Sequence, residues 1–312
     1  MTNLFNEDNW YQWSYDDGPA FGLRTGRDDK LKIKYGKLPK FKPFKAALLD
    51  NARSTIDHFP GYKFNLLISG GIDSELMLRT YLELKHPVHA HIFRYEKDWN
   101  IYDVSHAVLM CENLNVPYTI HNFNLTEFFD EGKFVWFSDK AQSDRPRALV
   151  QLAFPGIIGE GLIISASSDP RWYRPHDDYT QQAQWRVQDF EHDIALDRFT
   201  HRIGIPAVMQ WFKWTPALTL AWFSLRWFSR LVADGIPGKL GVVSTKITGY
   251  QEVFPEIPFR VKKTGFESID HLVQPAEIAL ETINGGLFYR QQTDISADEL
   301  WEEMTGHGYY FV

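Results

Sequence analysis

The chain has 312 residues, 44% hydrophobic and 23% charged, a composition that suits a folded protein with a core of one or two domains. A formal net charge of -7 gives no overall field to gather a polyanion, and the single cysteine, Cys111, excludes an intrachain disulfide or a cysteine-pair zinc site. The start "MTNLFNEDNWYQW" has neither a basic leader nor an apolar run, so the cytoplasm is the expected compartment.

In chain order, residues 1–45 read as an irregular arm or a short β excursion. Its basic stretch "KLKIKYGKLPKFKPFK" (Lys30 to Lys45) is where a nucleic acid would touch; a solvated arm is favoured over that contact. "PFKAALLDNARSTIDH" (Pro43 to His58) carries apolar residues at helical spacing. Strands and helices then alternate. "KFNLLIS" is a strand followed by a helix from Ser74 to Leu84, and Val88 to Tyr95 is a strand followed by a helix from Ile101. Pro117 to Asn124 is the third strand, and the helix "RPRALVQLAFPGIIG" leads to a fourth from Gly161 to Ser168. This alternation predicts an α/β fold, a parallel sheet covered by helices on both faces.

After Asp169 the pattern becomes mainly helical, from roughly Gln181 to Val232. The polar run Arg174 to Asp197 predicts a lid or a substrate-facing helix over the strand ends. The apolar segment from Ile203 to Val232 is cut by Pro206, Lys213, Pro216 and Arg226 into pieces too short to cross a bilayer, so no membrane partner is expected. Three units are expected: an arm and leading helix over 1–60, an α/β core over 61–170, and a mainly helical region with a tail over 171–312.

The chemistry concentrates in "LLISGGIDSE", where a strand ends and a helix starts. Gly70 and Gly71 let backbone approach a ligand, and the free amides of a helix start, with its positive dipole end, attract an anion. Ser69 and Ser74 add hydroxyls. Asp73 beside an anion calls for a cation between them, and magnesium carried by a nucleotide supplies one. The plain alternative is a tight turn capped by Asp73 or Ser74. His89 and His91 share one strand face, but without a third ligand nearby they read as structural.

The five positions Ser69, Gly70, Gly71, Asp73 and Ser74, with Ile72 among them, resemble the SGGxDS signature of the PP-loop ATP pyrophosphatases, the adenine nucleotide alpha hydrolase superfamily. The resemblance implies a HUP-like fold over about Gly61 to Ser168, with ATP and Mg2+ as cofactors. It implies cleavage of ATP between the α and β phosphates, pyrophosphate held in this loop, and AMP transferred to a substrate oxygen. It further implies backbone contacts to adenine from Phe93 and Arg94, a metal near Asp73 and Asp169, and a phosphate contact from Arg171. "SASSDPRW" departs from the SGEGADE of asparagine synthetases in its glycines and first acid.

The tail "FPEIPFRVKKTGF" resembles the R-x-K-x-G-F pattern of asparagine synthetases, whose lysine offsets charge on the leaving pyrophosphate. Here one extra residue follows Arg260. Anchoring on Gly265 and Phe266 selects Lys263, and anchoring on Arg260 selects Lys262; the Gly-Phe pair favours Lys263. Thr2 stands where glutamine-using relatives begin their nucleophile, so nitrogen is expected as ammonia or an amine. The expectation is an AMP-forming ligase acting on a small carboxylate or amide-like oxygen. The alternatives are modification of a base in tRNA or DNA, and a non-catalytic ATP or AMP sensor.

Overall fold

The computed structural model describes residues 10–16, 18–26, 29, 31–35, 42–167, 171–173, 186–223, 243–260, 265–284 and 292–296. The N-terminal region forms an antiparallel hairpin of β1 (Tyr11–Tyr15) and β2 (Leu31–Tyr35). Alternation in β1 buries Tyr11, Trp13 and Tyr15 on one face, as a two-residue period requires. Arg198, 1% exposed, lies over the rings of Trp13 and Tyr15 and donates to the carbonyls of Ala141 and Gln142, tying the hairpin to the domain. The β excursion expected from the sequence is therefore packed onto the core. Of the basic stretch, the side chains of Lys32 and Lys34 lie outside the described residues.

Helix α1 (Phe44–His58) leads into β3 (Phe64–Leu67), α2 (Ile72–Glu83), β4 (Val88–Tyr95), α3 (Ile101–Asn113) and β5 (Tyr118–Phe123). Two short helices missed by the sequence pattern follow, α4 (Leu125–Asp130) and α5 (Lys133–Ala141), then α6 (Pro146–Ile158) and β6 (Leu162–Ser165). Beyond come β7 (Arg171–Tyr173), β8 (Arg186–Phe190), α7 (Glu191–Ile203), β9 (Ala207–Val208) and α8 (Pro216–Phe223). The tail holds α9 (Val243–Gln251), α10 (Asp270–Asn284) and β10 (Gln292–Ser296).

The main sheet is parallel in the order β5-β4-β3-β6-β9. Leu66, Ala90, Ile92, Leu162 and Ile164 face a core shared with α1, α2, α3, α8 and α9. Phe93, Tyr95, Phe123 and Ile163 face a second core shared with α4 to α7 and α10. The chain winds outward from β3 to β5, then crosses back to β6 on the other side of β3. Right-handed crossovers then place α2 and α3 on one face and α6 on the other. Between β3 and β6 the winding direction switches, which opens a crevice at the strand ends. This is the predicted α/β fold, with its fifth strand supplied from beyond residue 170.

The helical expectation for 181–232 holds for α7 and α8 but fails at β8, which pairs antiparallel with β7 and β10 in a separate sheet. A strand partner more than a hundred residues away, β10, decided that segment, and no local period announces such a partner. Among the described residues no helix is long and apolar enough to cross a membrane.

Candidate functional site

A cleft of about 210 Å³ opens at the switch point, wide enough for an organic ligand rather than a lone ion. It is bordered by the whole run Leu67 to Ser74, the end of β4, the start of α3, and Ser165 to Ser167 at the end of β6. Gly70 has φ +77°, and a Cβ there would sit 2.1 Å from the Asp103 carbonyl oxygen. Its glycine is needed for the turn and for the close approach of α3. Gly71 differs. Its φ is -81° and an added Cβ would meet only Ser69 Oγ at 3.4 Å, so neither backbone nor packing requires glycine there. Gly71 borders the cleft.

Helix α2 starts at Ile72, with Gly71 as its N-cap and no capping side chain. The expected start at Ser74 is thus two residues late, and the capping role for Asp73 or Ser74 does not hold. Ser74 Oγ donates to the Gly71 carbonyl at 2.8 Å and stands 3.5 Å from Ser69 Oγ. Uncapped first-turn amides at the positive end of the helix, bordered by two hydroxyls, form an anion cradle.

Asp73 borders the cleft and is gripped from behind by α9: the Tyr250 hydroxyl donates to Oδ1 at 2.5 Å, and Lys246 Nζ lies 3.5 Å from Oδ2. Arg260 donates to the Gly70 carbonyl at 2.9 Å, and its other nitrogen lies 2.6 Å from Glu75 Oε2, off the hydrogen-bond direction. Glu75 is 1% exposed and also accepts from Arg79 at 2.8 Å, so two guanidinium groups balance one buried carboxylate. Gly265, at φ +78°, packs where a Cβ would lie 2.8 Å from Asn100 Cβ, and Phe266 after it borders the cleft. Both anchors of the tail motif are therefore seated on the cleft. Lys262 and Lys263, between them, lie outside the described residues.

At the end of β4, Asn100 donates to the Phe93 carbonyl and accepts from the Tyr95 amide, each at 2.8 Å. This side chain fixes the strand end that the resemblance pairs with adenine. Phe93 stacks on Phe154 with centroids 3.7 Å apart and on His121 at 4.8 Å. Arg94 instead sends its guanidinium to Asp98 at 2.5 Å and does not border the cleft.

His91 takes part in a buried chain. Asn65 Nδ2 donates to the Glu160 carbonyl, which turns Oδ1 toward His91 Nε2 at 3.1 Å. His91 Nε2 therefore carries a hydrogen, and Nδ1 accepts from His121 Nε2 at 2.8 Å. Burial, then the neighbouring histidines and Lys63, push the His91 pKa down to about 4, so the ring is neutral beside the cleft. Among the described residues no group of three or more His, Cys, Asp or Glu side chains is placed to hold a metal ion. Asp73 and Asp103 both border the cleft. One or two carboxylates completed by phosphate oxygens and water form the hard oxygen set magnesium prefers, so the site fits magnesium carried by a nucleotide.

The structure thus brings Ser69, Gly70, Gly71, Ile72, Asp73, Ser74, Phe93 and Arg260 around one cleft and leaves the Arg94 side chain outside it. Asp169 lies outside the described residues, and Arg171 is described only as backbone in β7. Sequence reasoning missed Asn100, Asp103, Gln151 and Phe154 at the cleft, and Lys246 and Tyr250 behind it. A polar residue just after the second strand was the one signal that could have flagged Asn100.

No family model matches the sequence, and no curated protein matches it. Among solved structures, the NH3-dependent NAD synthetase from Campylobacter jejuni subsp. jejuni NCTC 11168, in complex with nitrate, is 19% identical with a TM-score of 0.31, over 40% of this chain and 56% of that one. The glutamine-dependent NAD+ synthetase from Acinetobacter baumannii, in complex with ADP, is 20% identical with a TM-score of 0.30, over 49% of this chain and 32% of that one. NMN synthetase from Francisella tularensis is 14% identical with a TM-score of 0.34, over 72% of this chain and 99% of that one. The chain spans about half and a third of the first two proteins. Likenesses this distant identify neither a family nor an activity, and the asparagine-synthetase likeness rests on the tail residues alone.

Proposed function

We propose that this chain is an ATP-dependent, AMP-forming ligase. The β and γ phosphates of ATP lie on the amides of Ser69 to Ser74, and Asp73 would hold the magnesium that the nucleotide carries. A substrate carboxylate, or an amide-like oxygen, attacks the α phosphorus, the bond to the β-phosphate oxygen breaks, and pyrophosphate leaves. Ammonia or an amine then attacks the activated carbon and AMP departs. Bound magnesium supplies charge neutralisation on the phosphates. The chain's own residues grip the leaving group through backbone amides and set Asp73. Lys263 or Lys262, two or three positions past the anchored Arg260, offsets the charge that builds on departing pyrophosphate.

The observation that carries this reading is Gly71, a glycine that neither the local backbone nor the packing demands, at the uncapped start of α2 on a switch-point cleft. The test is exchange of radioactive pyrophosphate into ATP, run with panels of small carboxylates and amides. Label entering ATP with one acid supports the reading. Release of ADP and orthophosphate with every acid overturns it.

A further inference from the structure

The loop aspartate is not left to find its own orientation. Tyr250 is fully buried, its ring parallel to Phe44 at 6.4 Å and tilted against Trp222 at 5.6 Å, so its hydroxyl stands at a fixed point. That hydroxyl meets Asp73 Oδ1 across 177 residues of sequence. One helical turn earlier, Lys246 has a side chain only 10% exposed and sits 3.5 Å from Oδ2, with its ammonium 5.8 Å from the centre of the Trp222 ring. Neither residue borders the cleft, whereas Asp73 does, with 29% of its side chain exposed. Two groups on one face of α9 therefore meet the cleft through the Asp73 carboxylate.

Resting on the ligase reading, we propose that Tyr250 and Lys246 are positioning residues with opposed effects on Asp73: Tyr250 aligns the carboxylate for nucleotide-borne magnesium, and Lys246 is a built-in counter-charge that competes with that magnesium. The logic is electrostatic. A bare carboxylate beside a triphosphate repels it, and Lys246 cancels part of that repulsion when no metal is present. Asp73 would hold that magnesium in competition with the Lys246 ammonium beside Oδ2, while the hydrogen bond from Tyr250 to Oδ1 keeps the carboxylate from rotating away. Partners behind a metal-binding carboxylate commonly carry a tenfold to hundredfold share of metal affinity.

The test is equilibrium binding of ATP by calorimetry across a magnesium titration, with EDTA as the zero point, for wild type, Tyr250→Phe, Lys246→Gln and Lys246→Arg. Tyr250→Phe should raise the magnesium needed for half-maximal tightening about tenfold while leaving magnesium-free ATP affinity within about twofold. Lys246→Gln should do the reverse, weakening magnesium-free ATP binding about tenfold and lowering the magnesium requirement, with Lys246→Arg restoring wild-type behaviour. A loss of packing alone would move both quantities together and overturns the proposal, as do magnesium curves that superimpose on wild type. Because Tyr250→Phe keeps the ring in its pocket, it carries the test should Lys246→Gln fail to fold. If wild type binds no ATP at any magnesium level, the ligase reading itself has failed. If wild type binds ATP with no magnesium dependence, only the present proposal has.

Discussion

Adjacent glycines in one loop should respond to the same methyl group in opposite ways. At Gly70, alanine must adopt φ +77°, which costs about 1–2 kcal/mol, and its Cβ would lie 2.1 Å from the Asp103 carbonyl oxygen. Relieving that contact moves α3 off the loop, at a cost of about 1–3 kcal/mol. Gly70→Ala should therefore lose about 2–5 kcal/mol of stability. At Gly71 the backbone suits any residue and the methyl meets only Ser69 Oγ at 3.4 Å. Reduced unfolded-state entropy favours Gly71→Ala by about 0.4–1 kcal/mol, and the poorer N-cap opposes it by a similar amount, leaving less than about 1 kcal/mol either way. The same methyl occupies the phosphate's path, so ATP affinity should fall at least about tenfold, equivalent to about 1.4 kcal/mol. Urea unfolding measures the first quantity and calorimetric titration with Mg-ATP the second. A Gly71→Ala protein that is stable and binds ATP as tightly as wild type would show that the loop is only a turn.

Three further outcomes follow from the contacts around the cleft. Arg260→Ala leaves Glu75, 1% exposed, with Arg79 alone and strips the donor from the Gly70 carbonyl; urea unfolding should register a loss of about 2–4 kcal/mol, partly recovered by Arg260→Lys. His91, with its pKa held down to about 4 by burial, stays neutral in the folded chain while the unfolded chain takes up a proton near pH 6.5. Between those values the unfolded state binds more protons, so stability rises with pH across that window, by at most about 3 kcal/mol from this residue; unfolding at pH 4.5 and pH 7 should show the slope, and His91→Gln should reduce it, leaving the share of the other histidines whose pKa burial lowers. Asn100→Ala leaves the Phe93 carbonyl and Tyr95 amide without their partner, and chemical denaturation should show a loss of about 2–4 kcal/mol.

What the sequence determined by itself was local. Four strand-and-helix units declare themselves because apolar run and helical period each span only a few residues, and their alternation implies a parallel sheet; the strand order that puts the switch point between β3 and β6 was not legible. The loop Ser69 to Ser74 was legible for the same reason: a glycine pair, two hydroxyls and a carboxylate between a strand and a helix are contiguous. The tail could be placed only through its resemblance, and its anchors Arg260 and Phe266 do border the cleft. Tertiary structure alone decided the rest, because those contacts join segments that no local pattern connects. It assigned 186–190 to a strand paired with 292–296, brought Tyr250 to Asp73, and turned the Arg94 side chain away to Asp98. It also told the two glycines apart, since only the position of α3 reveals that Gly70 is required by the turn and the packing while Gly71 is not.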